Sequence, residues 1–235
     1  MGEPFQQIET KPIVIAALAG AVAGIIHVLS GPDHLAAVAP LAVERRAQGW
    51  TTGLRWGLGH AGGVILVGVL SLLLREVLPV ERFSSWAERF VGVVLIAIGI
   101  WGVRKAMRHQ VHVHEHSHGG TDHVHIHVHS TDAVHHHRGR HSHTHAAFAV
   151  GTLHGLAGGS HFLGVLPALA FPTTGQAVSY LLAFGLGTVL AMMGFSSALA
   201  WTARRLAFNG TRAYQALMMA CSLAATGLGA YWLVG

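Results

Sequence analysis

Six stretches of this chain are apolar on every side, at about 12–43, 54–75, 86–104, 146–171, 176–203 and 213–234. Each is long enough to cross roughly 30 Å of hydrocarbon, a distance that takes about 20 helical residues. A soluble amphipathic helix would show a polar stripe, and these segments do not. The pattern predicts six transmembrane helices. The first stretch is longer than one crossing and is interrupted at Gly31-Pro32, where proline removes a donor and clashes with the preceding turn. A broken helix is expected there, with Gly31 as N-cap and Pro32 as the first residue of the second half. Backbone groups freed at membrane depth are tolerated only against protein or a wet cavity, so the break should face inward.

Composition agrees with the pattern. With 51% hydrophobic and 11% charged residues, the 235-residue chain has too few charges to clothe a soluble globule. The net charge of +5 sits in short basic clusters at the ends of apolar runs, which is a topology signal and argues against nucleic acid as a partner. On one side fall Arg45, Arg46, Arg55, Arg104, Lys105, Arg108, Arg138, Arg140, Arg204, Arg205 and Arg212, and on the other Lys11, Arg75, Arg82 and Arg89. The excess of basic residues marks the cytoplasmic side. Both termini are then expected outside, in a bacterial or archaeal cytoplasmic membrane. Residues 1–11 lack the basic start of a secretory signal, so the first apolar run is taken as retained. The single cysteine, Cys221, excludes a dithiol relay within one chain.

The chain also repeats itself. His27-Val28-Leu29-Ser30-Gly31-Pro32-Asp33-His34 is answered by His154-Gly155-Leu156-Ala157-Gly158-Gly159-Ser160-His161. In both copies the histidines are seven apart, leucine stands third, glycine stands fifth, and a proline (Pro40, Pro167) follows thirteen after the first histidine. Gly57-Leu58-Gly59-His60 likewise matches Gly185-Leu186-Gly187-Thr188, and Gly99-Ile100-Trp101 loosely matches Gly229-Ala230-Tyr231. Three segments per copy is an odd number, so the second copy enters from the opposite side, the inverted repeat from which secondary transporters build midplane sites. The expected fold is an all-α polytopic membrane protein: a three-helix repeat over 1–104, a linker over 105–145 and a second three-helix repeat over 146–235, each repeat with a discontinuous first helix.

The linker holds 15 of the 20 histidines, many in alternation, as at His112, His114, His116 and His118. It has no apolar core and reads as a disordered, solvated cytoplasmic tether. Neutral imidazole ligates zinc, copper, nickel and cobalt, so such a tract would buffer, sense or hand over these ions.

The remaining five histidines, His27, His34, His60, His154 and His161, lie inside predicted spans together with Asp33. An ionised carboxylate at a helix centre costs about 2.5–3.5 kcal/mol on insertion scales. Asp33 therefore needs a compensating partner, and a bound cation is one. Residues seven apart share a helix face, so His27 and His34 would point together and the inverted copy would bring His154 and His161 to them. Imidazoles suit a transition metal, whereas magnesium or calcium would want mostly oxygen. His60 would complete the set, although its counterpart is Thr188. Any single intramembrane histidine is as well explained by an interhelical hydrogen bond, and Ser30, Ser160 and Thr188 are better read as ordinary helix contacts. The duplicated pairs beside a helix break favour ligation.

The segment from His27 to His34, ending in Asp-His, resembles the intramembrane signature of the nickel/cobalt permease superfamily, and more closely its six-helix urease- or hydrogenase-associated nickel transporters. This chain has five residues between the histidine and Asp-His, where the best-known permeases have four and eight spans in place of six. The resemblance implies a divalent cargo, Ni2+ or Co2+ before Zn2+ or Mn2+, no resident cofactor, and metal ligation by His27, Asp33 and His34, extended to His154 and His161 through the second copy.

These readings converge on a permease for a divalent transition-metal ion, embedded in lipid, with a metallochaperone or a second copy of the chain as further partners. It is not expected to be an enzyme: no H-E-x-x-H motif supplies the general base of a membrane metalloprotease. There is also no G-x-x-x-x-G-K-[ST] loop for ATP, so energy would come from a gradient or another subunit. Two rivals stand beside the permease, an accessory protein that senses or stores metal on its histidine tract and, behind it, a membrane metalloenzyme.

Overall fold

A computed structural model describes residues 10–74, 80–108, 112–118, 121–127, 144–157, 164 and 166–234. The helices are α1 (Thr10–Ser30), α2 (Pro32–Glu44), α3 (Gly49–Leu74), α4 (Val80–Arg108), α5 (Thr144–Leu156), α6 (Thr174–Asn209) and α7 (Thr211–Val234), with a 3-10 turn at Leu166–Ala170. The break between α1 and α2 falls where the sequence puts it. Gly31 is the N-cap with extended backbone, and Pro32 opens α2, where its missing N–H is no loss. Thr173 caps α6 by accepting a hydrogen bond from the Gln176 N–H at 3.3 Å. The turn from α6 to α7 is made by Gly210 at φ 140°, a backbone region that L side chains rarely adopt.

Among the described residues, four helical stretches have the length and hydropathy of a membrane crossing: Thr10–Ser30, Glu88–Met107, Thr174–Phe208 and Thr211–Val234. Their outer surfaces are apolar, with Ile15 66%, Leu18 63% and Leu182 65% exposed, a surface suited to acyl chains and not to water. Six crossings were expected from sequence, and four are found among the described residues. The stretch at 146–171 is discontinuous, as expected: α5 has 13 residues, about 20 Å at 1.5 Å per residue, short of the hydrocarbon thickness, and a 3-10 turn follows at Leu166–Ala170. The histidine tract also differs from the structureless tether expected. His112–His118 (β1) pairs antiparallel with Thr121–His127 (β2), so the alternation of histidine with other residues matches the two-residue period of a strand.

Helix packing is reciprocal between the halves. α1 lies on α6, α3 lies on α5, and α4 lies on α7. Glycines let the backbones touch. A Cβ at Gly24 would fall 2.1 Å from the Phe184 carbonyl oxygen, and one at the equivalent Gly151 would fall 2.1 Å from that of Trp56. A Cβ at Gly59 would meet the Phe148 carbonyl oxygen at 2.3 Å, and one at Gly187 that of Ala21 at 2.2 Å. Small residues at such crossings are how membrane helices gain close van der Waals contact. The core gathers Val28, Val38, Trp56, Leu95 and Met192, with the α1–α2 break against it.

At one end of the bundle Val43, Ala106, Ala203 and Tyr214 are buried together. Around them Glu44 accepts a hydrogen bond from the Lys105 ammonium, and Arg46 lies over the Tyr214 ring at 4.8 Å. Arg205 lies over Trp201 at 5.2 Å. Of the basic residues assigned to one side by sequence, Arg46 and Lys105 thus stand around this buried group.

Candidate metal centre

Four helices bring one histidine group together. His27 ends α1, Asp33 and His34 open α2, His60 lies in α3 eleven residues after Gly49 and fourteen before Leu74, and His154 lies in the last turn of α5. At 1.5 Å per residue, His60 is about 16 Å from one end of its helix and about 21 Å from the other. The seven-residue spacing of His27 and His34 spans the break, yet the two rings still meet, with their Nε2 atoms 3.2 Å apart. Gly31 makes this fit possible, because a Cβ there would lie 2.3 Å from His34 Nδ1.

Asp33 is the hinge of the hydrogen-bond network. Its Oδ1 accepts from His34 Nδ1–H at 3.0 Å and its Oδ2 from His154 Nε2–H at 2.9 Å. With the His34 proton on Nδ1, its Nε2 presents a lone pair towards His27. Asp33, His34, His60 and His154 are buried, at 6%, 2%, 0% and 4% exposure, while His27 is partly so. The carboxylate sits in the first turn of α2, where exposed backbone N–H groups and the helix dipole favour negative charge.

Coordinating atoms of His27, His34 and His60 all lie within 4.8 Å of one another, and so do those of Asp33, His34 and His154. Two imidazole nitrogens bound to one tetrahedral ion at about 2.0–2.1 Å stand about 3.3–3.4 Å apart, close to the His27–His34 separation. The donor set of imidazoles with one carboxylate matches zinc, nickel, cobalt or copper chemistry better than that of magnesium or calcium. The structure thus brings together five of the six residues singled out from sequence. The sixth, His161, and its neighbour Ser160 lie outside the described residues. Ser30 and Thr188 bond back to their own helices, through the Ile26 carbonyl at 2.7 Å and the Phe184 carbonyl at 2.9 Å.

Trp56 belongs to the site and was not anticipated. It is fully buried, stacks on His60 with ring centroids 4.9 Å apart, and stands 5.6 Å from the ring of His34 and 5.5 Å from that of His154. Its i, i+4 spacing to His60 was the available signal, since such residues share a helix face. Phe184, its counterpart in the second half, lies 5.4 Å from His27.

Comparison with known proteins places the chain. The family described as Cytochrome C biogenesis protein transmembrane region matches residues 15–224. Chloroplast protein FOR GROWTH AND FERTILITY 2 of Arabidopsis thaliana is 35% identical over 218 residues, 92% of this chain and 55% of its own length. Chloroplast protein FOR GROWTH AND FERTILITY 1 is 33% identical over 226 residues, 96% of this chain and 60% of its own. The chain thus spans just over half the length of these plant relatives. Urease accessory protein UreH of Bacillus sp. (strain TB-90) is 26% identical over 181 residues, 76% of this chain and 73% of its own. No solved structure matches.

Proposed function

We propose a transport function that starts from the membrane: the chain belongs to the family of the Cytochrome C biogenesis protein transmembrane region, and it is an integral membrane protein. The function that the geometry supports best is passage of a divalent transition-metal ion through the histidine site. The observation that carries this reading is the gathering of four imidazoles and a carboxylate from four helices, three of the rings and the carboxylate buried, in a protein otherwise surfaced for lipid. Ionisable groups at such depth are costly and mark ion pathways. Nickel or cobalt is the favoured cargo, because the Bacillus relative is named as a urease accessory protein, the type to which the Asp-His motif pointed.

The reciprocal contacts of α1 with α6 and α3 with α5 support an inverted repeat, and a site where the two copies meet suits alternating access. The gathered basic end, held by Arg46, Lys105 and Arg205, supports its placement on the cytoplasmic side. The relatives come from a plant chloroplast and a bacterium, so a bacterial or archaeal cytoplasmic membrane is one of two membranes open to it.

Uptake of nickel, cobalt, zinc and manganese into proteoliposomes tests the reading. Nickel or cobalt flux is expected to fall at least about tenfold in His27→Ala and His154→Ala, the scale of losing one ligand-shell interaction. Unchanged flux in both variants refutes the site. The accessory reading has its own support in the name of the Bacillus relative. Deleting 109–143 separates the two: a permease keeps its flux with altered affinity, whereas a storage or sensing protein loses its metal response.

A further inference from the structure

The histidine site contains two overlapping ligand sets with one member in common. His27, His34 and His60 form one set and Asp33, His34 and His154 the other. His34 turns a different nitrogen to each. Its Nε2 faces His27 at 3.2 Å and its Nδ1 faces Asp33 at 3.0 Å. The two nitrogens of one imidazole point away from each other, so a single ion cannot take both. A neutral imidazole also carries one N–H and one lone pair, so only one of the two nitrogens is a ligand at a time.

We infer that the site is two adjoining stations, filled in turn, with His34 passing the divalent ion from one to the other. In the imidazole station, His27, His34 Nε2 and His60 hold the ion, and the proton of His34 stays on Nδ1, donated to Asp33. Asp33 then fixes the ring from behind, the carboxylate–histidine arrangement common around bound metals. In the carboxylate station, Asp33, His34 Nδ1 and His154 hold it, and the proton of His34 sits on Nε2, directed at His27. Each transfer exchanges ion and proton between the two faces of His34 by way of solvent water, and His154, whose Nε2–H bonds Asp33 while the carboxylate station is empty, carries its proton on Nδ1 while the ion fills it, so both rings are neutral in both states. The stations differ in charge. Three neutral imidazoles leave a divalent ion uncompensated, while Asp33 cancels half of its charge, so the carboxylate station is the resting one. Trp56, stacked on His60 and close to the rings of His34 and His154, walls both stations.

This inference rests on the transport reading, and its test separates the two. Co2+ is the probe, bound to the full purified chain and counted as the excess over His34→Ala, so that ions held by the histidine tract cancel. Visible absorption of Co2+ reports the ligand set. Wild type is expected to hold one excess ion. His60→Phe, which keeps a ring against Trp56, should retain that ion with an affinity within about threefold and a wild-type spectrum, yet lose uptake by at least about tenfold. His154→Gln should also retain one ion, with at least about tenfold weaker affinity and a changed spectrum. His60→Gln should behave like His60→Phe, which guards against a fold defect in one variant.

Two excess ions in wild type would overturn the two-station scheme. So would equal loss of binding in the His60 and His154 variants, the behaviour of one composite cage. In both cases the transport reading survives if wild type still moves the ion. No excess of wild type over His34→Ala removes both.

Discussion

Replacing Asp33 by Asn tests the centre without changing its volume, so no cavity enters the account. The carboxylate accepts two N–H bonds, from His34 at 3.0 Å and His154 at 2.9 Å. Hydrogen bonds to a charged group contribute about 1.5–3 kcal/mol and neutral ones about 1 kcal/mol. Asn also offers a donor where one imidazole needs an acceptor, so one ring must change tautomer. Metal-free stability should therefore fall by about 1–4 kcal/mol. The effect on the ion is separable. Losing a carboxylate that ligates or orients a ligand costs about 10–100-fold in metal affinity. Metal at 100 times the wild-type Kd stabilises wild type by about 2.7 kcal/mol, and at that concentration Asp33→Asn by only about 1.4 to 0.4 kcal/mol. Thermal unfolding in detergent, with and without Ni2+, reads both quantities. If Asp33→Asn were as stable as wild type and gained the same metal-induced increment, the carboxylate would be neither the hub of the hydrogen bonds nor part of the ion site.

Two further outcomes follow from glycines. Gly31→Ala places a Cβ 2.3 Å from His34 Nδ1 and must turn that ring, so Ni2+ affinity measured by calorimetry should drop about tenfold or more although every ligand remains. Wild-type affinity would show that the ring has room. Gly24→Val drives a side chain into the Phe184 carbonyl, 2.1 Å from the first added atom, and should cost about 1–3 kcal/mol by forcing α1 from α6. Gly62→Ala, in the same class of helix but with nothing within 4 Å, should be neutral or gain up to about 1 kcal/mol; equal effects in unfolding assays would refute the close crossing.

Much of this protein is written locally. The all-round apolar runs, the break at Gly31-Pro32 and the set His27, Asp33, His34, His60 and His154 follow from residue type and spacing, because lipid admits unpaired polar groups only for a reason. Glycines at matching places beside the two motifs both stand at close crossings, Gly24 against Phe184 and Gly151 against Trp56. Two things were not legible. A period-two run of histidines is compatible with a loop or a strand until a partner strand settles it, as β1 and β2 do for each other. The break within 146–171 was expected but not the residue at which α5 ends, since apolarity alone does not say where a helix stops.

Residue type and spacing alone tell that the chain lives in a membrane, that its first helix breaks, and which side chains are too polar to sit in an apolar span without a partner. The assembled fold settles which nitrogen of His34 faces which neighbour, that Asp33 bonds a residue 121 positions away, and that Trp56 stacks on His60. Composition and spacing constrain one helix at a time. The direction in which a ring nitrogen points is fixed by the helix across from it, through contacts that exist only once α1, α2, α3 and α5 have met.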